Sequence, residues 1–402
     1  MNMLNPIRLS GAEEGLIAQL EAAGATAVAD SLRERGLPTR RVEAYHYTDL
    51  KMLLGAVPPL ARKAIVGASP LRLPGAYRVL VANGVVESHA GAPEGVSVRI
   101  STEKALSPRE DVLVNLNRAL QGETLEIAVS GSVDTIIHID RRLEGSAGHS
   151  AGASRIVLAP GASATIVETI SGSEAAHLSN GGTAIVLGEG AVATHVIVDC
   201  SARAATQFGN VDYTIAAGVR LTSLVVHAGA DLSRTQIFAQ FDGEGAHADF
   251  RGLNLADDGQ HSDITLEAIH GVPNTTSSEQ IKQIARGRSK AVFQGRIVVA
   301  RDAQKTDAKM MMQGLMLSDE AEILAKPELE IFADDVVCGH GATCGSIDED
   351  WLFYLVSRGI PREEAETMLV RAFLAEVLDV IESESLTGVL ETVVDAWLGR
   401  AA

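Results

Sequence analysis

The chain has 402 residues, 46% of them hydrophobic but only 4% aromatic, and 38 are glycine. That is enough apolar material for a sizeable core, and so many small residues suit a β-rich solenoid with tight corners and a narrow interior. The formal charge of −18, from 52 acidic and 34 basic residues, repels phosphate groups and argues against nucleic acid or an anionic membrane as the partner.

The opening "MNMLNPIRLSGAEE" has neither the basic nor the apolar segment of a secretory leader. No apolar run is long enough to predict a membrane-spanning helix. In "GAEEGLIAQLEAAGATAVADSLRERGLP", Leu16, Leu20, Ala23 and Ala27 fall at helical spacing, and Gly36 with Pro38 stops the helix. Two short strands are predicted from "YRVLVANG" and "VSVRI", then a short helix from "REDVLVNLNRAL".

From about residue 124 the apolar period becomes two. "LEIAVSG", "DTIIHID", "SRIVLAPG", "TAIVLGEG", "THVIVDC", "TSLVVHAG" and "RTQIFAQFDGEG" are β-branched runs punctuated by glycine. Gly161, Gly190, Gly218 and Gly245 each open such a stretch, at intervals of 29, 28 and 27 residues. A near-constant period of strands and glycine turns predicts stacked β coils. Residues 110–340 therefore read as a parallel β-helix, with a β-sandwich as the alternative.

Enzyme motifs are missing. No lysine follows a glycine, which rules out a P-loop, and there is neither a G-x-S-x-G elbow nor an H-E-x-x-H helix. "GEGAVA" at 188–193 mimics a dinucleotide fingerprint but lies among strands, so it reads as a turn. His195, His227, His247, His261 and His270 are scattered through the repeats. His261 and Asp263 share a strand face and form a conceivable ligand pair, although hydrogen bonding along a solenoid face is the simpler reading. The methionines of "KMMMQGLML" read as packing.

"VCGHGATCG", residues 337–345, holds two of the three cysteines. So few cysteines make no disulfide framework, and the chain reads as cytosolic with reduced thiols. In a strand, Cys338 and His340 project to one face about 7 Å apart. Two donors are half of what a structural zinc site needs. On spacing alone, a buried cysteine beside a satisfied histidine is the simpler account, and a site completed by another protein is the sharper one. Cys344 has the same parity, but Gly341 and Gly345 predict a turn before it. Beyond this segment, Ser346 with Glu349 predicts a capping box for "IDEDWLFYLVSR". Gly359 ends that helix and Pro361 begins the next, where Leu369, Phe373, Val377 and Ile381 form a stripe. "TGVLETVVDAWLGR" is a third helix.

The segment "AQKTDAKMMMQGLMLSDEAEILAKPELEIFADDVVCGHGATCGSIDEDWLFYLVSRGIPREEA" resembles the C-terminal region of the SufB/SufD family of iron–sulfur cluster assembly proteins. "EAIHGVPNTTSSEQ", "FQGRIVV" and "GLPTRRVEAYHYTDL" extend the resemblance over almost the whole chain. Gly341, where the longer SufB branch carries glutamate, and the length of 402 residues both place it nearer the SufD branch. Tyr45 and His46 depart from the tryptophan and basic residue usual in the N-terminal signature.

The resemblance implies a mainly β fold with a right-handed parallel β-helix core. A mostly helical N-terminal region (1–109) and a C-terminal helical domain (346–402) flank the core (110–345). It implies a cytoplasmic, non-catalytic scaffold that pairs edge to edge with a SufB-like paralogue and binds a SufC-like ATPase through its C-terminal helices. In isolation a homodimer is allowed. His340 and Cys338 fall at the family's cluster-assembly interface, as metal donors shared with the paralogue. No cofactor is implied to stay bound, only iron or an iron–sulfur cluster in transit, and Cys344 receives no role. Two other readings stand beside this one: a SufB-like cluster-bearing chain, and a metal-dependent β-helix enzyme using His261 and Asp263.

Overall fold

The computed structural model of the chain describes residues 8–61, 63 and 65–399. The extreme N-terminus read for a leader, and Arg400 of the last predicted helix, lie outside the described residues. The single helix expected near the N-terminus is two, α1 (Gly11–Ala22) and α2 (Thr26–Arg35). Ser10 and Glu13 cap α1 reciprocally. Gly24, at φ 73°, breaks the helix, with Ala25 N–H closing back on the Leu20 carbonyl at 2.8 Å. A short turn, α3 (Leu50–Leu53), follows, and α4 (Val112–Leu120) forms where the sequence predicts it, with Asp111 as N-cap.

Two sheets carry the rest. The first runs, in spatial order, Val85–Ser88, Tyr77–Ala82, Ser132–Leu143, Ser163–Gly172, Val192–Asp199, Arg220–His227, His247–Ala256, Thr276–Ala285, Asp307–Met316 and Val337–Gly345. The second runs Glu322–Ile331, Lys290–Val299, His261–His270, Leu232–Phe241, Thr206–Ile215, Leu178–Leu187, Ala153–Leu158, Thr124–Val129 and Val96–Ser101. The chain alternates between them, and neighbours pair in parallel except at the N-terminal end. There the first sheet closes with the antiparallel pair Tyr77–Ala82 and Val85–Ser88, and the second with Val96–Ser101 against Thr124–Val129. The strands predicted before residue 110 thus belong to the sheets. The result is a parallel β-solenoid of about eight turns, not a sandwich.

The corners explain the period. Gly161, Gly190, Gly218 and Gly245 all have positive φ, and each N–H donates to a carbonyl of the following turn. The same ladder continues through Asn274 (φ 57°) and Lys305 (φ 63°). Those two steps carry no glycine, which is why the sequence period fades there.

Between the sheets lies an aliphatic core with Tyr213, Phe241, Phe250 and Phe293. Each outer face is covered by helices. Leu16, Leu113 and Leu116 pack on Leu178, Phe208 and Leu232 of the second sheet. On the first sheet, Val196, Val198, Leu224 and Leu253 receive the C-terminal helices α6 (Arg362–Leu378) and α7 (Glu384–Leu398), and α5 (Glu349–Ser357) packs on α6. The N-cap of α5 is Asp348 rather than Ser346, because its carboxylate reaches the N–H groups of Asp350 and Trp351. The buried stripe of α6 is Ala365, Val370, Leu374, Val377 and Leu378, so Leu369 and Phe373 sit at its margin.

Two cations fix α6 and α7 to the scaffold. Lys282, 1% exposed, donates to the Phe373 carbonyl at 2.6 Å and lies 4.3 Å over that residue's ring. Arg286 donates to the Trp397 carbonyl at 3.1 Å and lies 4.2 Å over its ring. Each grip joins a cation–π contact to a main-chain acceptor in a desolvated setting. Among the described residues no helix is long and apolar enough to cross a membrane.

The corner ladder yields a direct test. A Cβ added at Gly190 meets nothing within 4 Å, so Gly190→Ala is opposed by backbone conformation alone. It is expected to lower stability by about 1–2 kcal/mol in urea unfolding.

Candidate functional site

The strand Val337–Gly345 is the last of the first sheet and pairs on one side only, with Asp307–Met316. The turn expected at Gly341 does not form. Gly339, Gly341 and Gly345 are not among the positive-φ glycines, and the strand runs on to Gly345. Space beside Gly341 is tight instead, since a Cβ there would stand 3.0 Å from Met311 Cε and the methionine would have to shift. On the outer pleat, Gly339 and Gly341 floor a groove of about 510 Å³ walled by Ser278, Gln280, Lys309, Met311 and Val337. Met311 is exposed at this rim, whereas Met310 and Met312 are core, so packing accounts for those two and not for Met311.

Cys338 and His340 occupy the opposite, inward pleat. Cys338 pairs with Ala308 and packs against the interior cluster, and His340 pairs with Met310 and is exposed at the open end. The two therefore share a face, as their spacing predicts. Cys344 shares the parity but stands opposite Gly314, about 20 Å along the strand from Cys338. Burial pushes the Cys338 thiol up, the Asp307 and Glu279 carboxyls add to this, and a backbone hydrogen bond with Ala308 opposes it. A metal ion binding the sulfur would displace that proton.

Glu279 is the neighbour that the sequence reading missed. It lies on Thr276–Ala285, is 1% exposed, and stands in register with Met310, which in turn pairs with His340. Burial raises its carboxyl to about 8. Ser277 Oγ donates to Oε1 at 3.2 Å, His270 Nε2 lies 3.2 Å from the same hydroxyl, and Oε2 has no partner. The parity signal was present in the sequence: Glu279 is two residues from Ile281, which points into the core.

His261 and Asp263 do share a face, on the outside of the second sheet, where the N-terminal segment covers them. Thr48 Oγ1 lies 2.9 Å from His261 Nε2 and also donates to Asp263. Arg234, fully buried, pairs with Asp263, donates to the Ala44 carbonyl at 2.7 Å and lies 4.4 Å over the Tyr45 ring. Tyr45 O–H donates to Asp111 at 2.6 Å. The pair thus anchors "YHYTD" to the solenoid, with His261 Nε2 and the Asp263 carboxylate engaged by Thr48 and Arg234. The other repeat histidines are likewise engaged, His195 with Tyr213 and Glu168, His227 with Asn254 and Thr235, and His247 with Thr276 and Asp249. Among the described residues no three His, Cys, Asp or Glu side chains converge on a metal-sized point.

A second surface lies on the C-terminal helices. Trp351, Phe353, Tyr354 and Val356 of α5, with Met368 of α6, are exposed large apolar side chains. Exposed apolar side chains concentrated on one helix are the kind that interaction surfaces use.

Residues 142–373 match the family described as SUF system FeS cluster assembly, SufBD core domain. The chain is 30% identical to the iron–sulfur cluster assembly protein SufD of Escherichia coli over 375 residues, 88% of each protein. An iron–sulfur cluster assembly SufBD family protein of Synechocystis is 34% identical over 208 residues, 51% of this chain and 45% of that protein. One from Mycobacterium tuberculosis is 33% identical over 183 residues, 42% of this chain and 46% of that protein.

The Glu279 environment makes stability depend on pH. Between about 4.5 and 8 the folded chain keeps a proton that the unfolded chain has lost, so this group's contribution falls as pH rises through that window. Glu279→Gln removes the effect. Its melting temperature should match that of the parent near pH 4.5 and exceed it increasingly toward pH 8, at most about 1.4 kcal/mol per pH unit.

Proposed function

Because the chain belongs to the SufBD family of iron–sulfur cluster assembly proteins, we propose that it is a cytosolic, non-catalytic scaffold subunit whose last strand forms half of a cluster-assembly interface. Its partner at that edge is a SufB-like paralogue, and a SufC-like ATPase docks on the apolar patch of α5 and α6. Cys338 and His340 are this chain's donors to incoming iron or a nascent cluster, and the paralogue supplies the remainder. Thiolate and imidazole are suitable iron ligands, and two donors from one chain leave room for others.

The observation that carries this reading is the contrast between the two free edges at the C-terminal end. Glu322–Ile331 holds Lys326, Pro327, Glu328 and Glu330, the residues by which proteins blunt an edge against pairing. Val337–Gly345 holds no charge and no proline, and its Val337 is 63% exposed. An unprotected edge bearing a cysteine and a histidine suits addition of another chain. The same edge would admit a second copy when the paralogue is absent. The grips of Lys282 and Arg286 give the ATPase a lever. ATP-driven movement of α6 and α7 would pull on the strand that carries Glu279 and so open the neighbouring edge.

His340→Ala is expected to leave the complex with paralogue and ATPase intact while lowering the iron and sulfide it acquires. Undiminished cluster content in complex purified without oxygen would remove His340 from the assembly step.

A further inference from the structure

We propose that Glu279 is a third iron donor of this chain, completing with Cys338 and His340 a mixed oxygen, sulfur and nitrogen set that takes a divalent cation at the solenoid end. The inference rests on the reading of Cys338 and His340 as interface donors and adds a residue that nothing so far assigns.

Three observations support it. The first is register. Glu279, Met310 and His340 stand opposite one another on successive strands, as do Ser277, Ala308 and Cys338. All six share the inward pleat, and strands lie about 4.8 Å apart, so Glu279 is about 10 Å from His340 between Cα atoms. A glutamate and a histidine meeting at one ion bridge such a span. Toward Cys338, the residue that stands between the two strands in the Cys338 row is the small Ala308.

The second is the carboxyl group itself. Among the described residues, Glu279 Oε2 is the only buried carboxylate oxygen without a hydrogen-bond partner. Other buried acids are met by donors, as Glu168 is by Arg141, His195 and Thr183, Asp263 by Arg234 and Thr48, and Glu13 by the Ser10 and Leu37 N–H groups and Lys51. An unpaired oxygen in a dry interior is costly, and a cation is one partner that repays it. Nothing in the packing of the solenoid demands a carboxylate at this position.

The third is plasticity. In the present arrangement the three donors do not converge. The side chain between Glu279 and His340 is Met310, which is unbranched and repacks readily. Rotation of Glu279 over Ala308 then closes the site. A hard carboxylate beside a thiolate and an imidazole suits ferrous iron, and three donors leave coordination free for sulfide or the paralogue.

The test uses the full-length chain, reduced and free of oxygen, with Co²⁺ as the probe and thiolate-to-cobalt absorption as the signal. The parent should bind one Co²⁺, and Glu279→Gln should bind it roughly tenfold or more weakly with the thiolate band retained. A melting curve checks that the variant is folded. If Glu279→Gln binds as tightly as the parent while Cys338→Ser and His340→Ala lose affinity, the third donor is refuted and the interface reading stands. If none of the three substitutions changes binding, the interface reading fails with it. If the parent binds no Co²⁺, the three-donor site is overturned, and a site needing the paralogue's donors survives.

Discussion

A stack of parallel strands passes its backbone hydrogen bonds from turn to turn, so the stack must end somewhere with donors and acceptors unpaired. This chain treats its two ends differently. At the N-terminal end both sheets finish in short antiparallel strands, Val85–Ser88 and Val96–Ser101. At the C-terminal end two long parallel strands are simply left open, one armoured by charge and proline and the other bare. The bare edge is where Cys338 and His340 stand, and each later inference follows from that asymmetry.

The packing around the bare edge connects it to the rest of the molecule. The solenoid holds its register through a ladder of left-handed corners, so the inward face of the last strand continues the columns of the preceding turns. Those columns bring Glu279 and Met310 under His340 and leave the small Ala308 under Cys338. Just past the core residue Ile281 come Lys282 and then Arg286, which hold α6 and α7 by ring and carbonyl. One short segment therefore meets both the candidate donors and the helices that bear the exposed aromatic patch. The buried Arg234–Asp263 pair has a different task. It joins the N-terminal segment to the second sheet, and its burial makes loss of either partner damaging without implying any chemistry.

Much of this was legible in the sequence. Four glycines at a near-constant interval declared the solenoid, because only a residue tolerant of positive φ fits its corner without strain. The ladder disappeared from view where Asn274 and Lys305 take the same conformation without glycine. Gly341 misled in the opposite sense. A glycine in that context predicts a turn, but in an extended strand it leaves room beside Met311. Gly24 split a helix that periodicity alone had joined. Parity placed Cys338 and His340 on one face and turned Glu279 inward, but local pattern could not show that it lies beside them. Its partners lie one and two turns away, and only the register between strands brings them together. For the same reason His261 and Asp263 looked available until Thr48 and Arg234 were found upon them.

The central claim is that Val337–Gly345 is a pairing edge and not merely the end of a fold. Amide hydrogen exchange measures this most directly, comparing the chain at a concentration where it is monomeric with the chain bound to the proposed SufB-like paralogue. In the free chain the alternate amides of Val337–Gly345 that face away from Asp307–Met316 should exchange quickly, and binding should slow them while those of Glu322–Ile331 change less. Equal exchange of Val337–Gly345 in the free and bound states, with protection appearing elsewhere, would contradict the account.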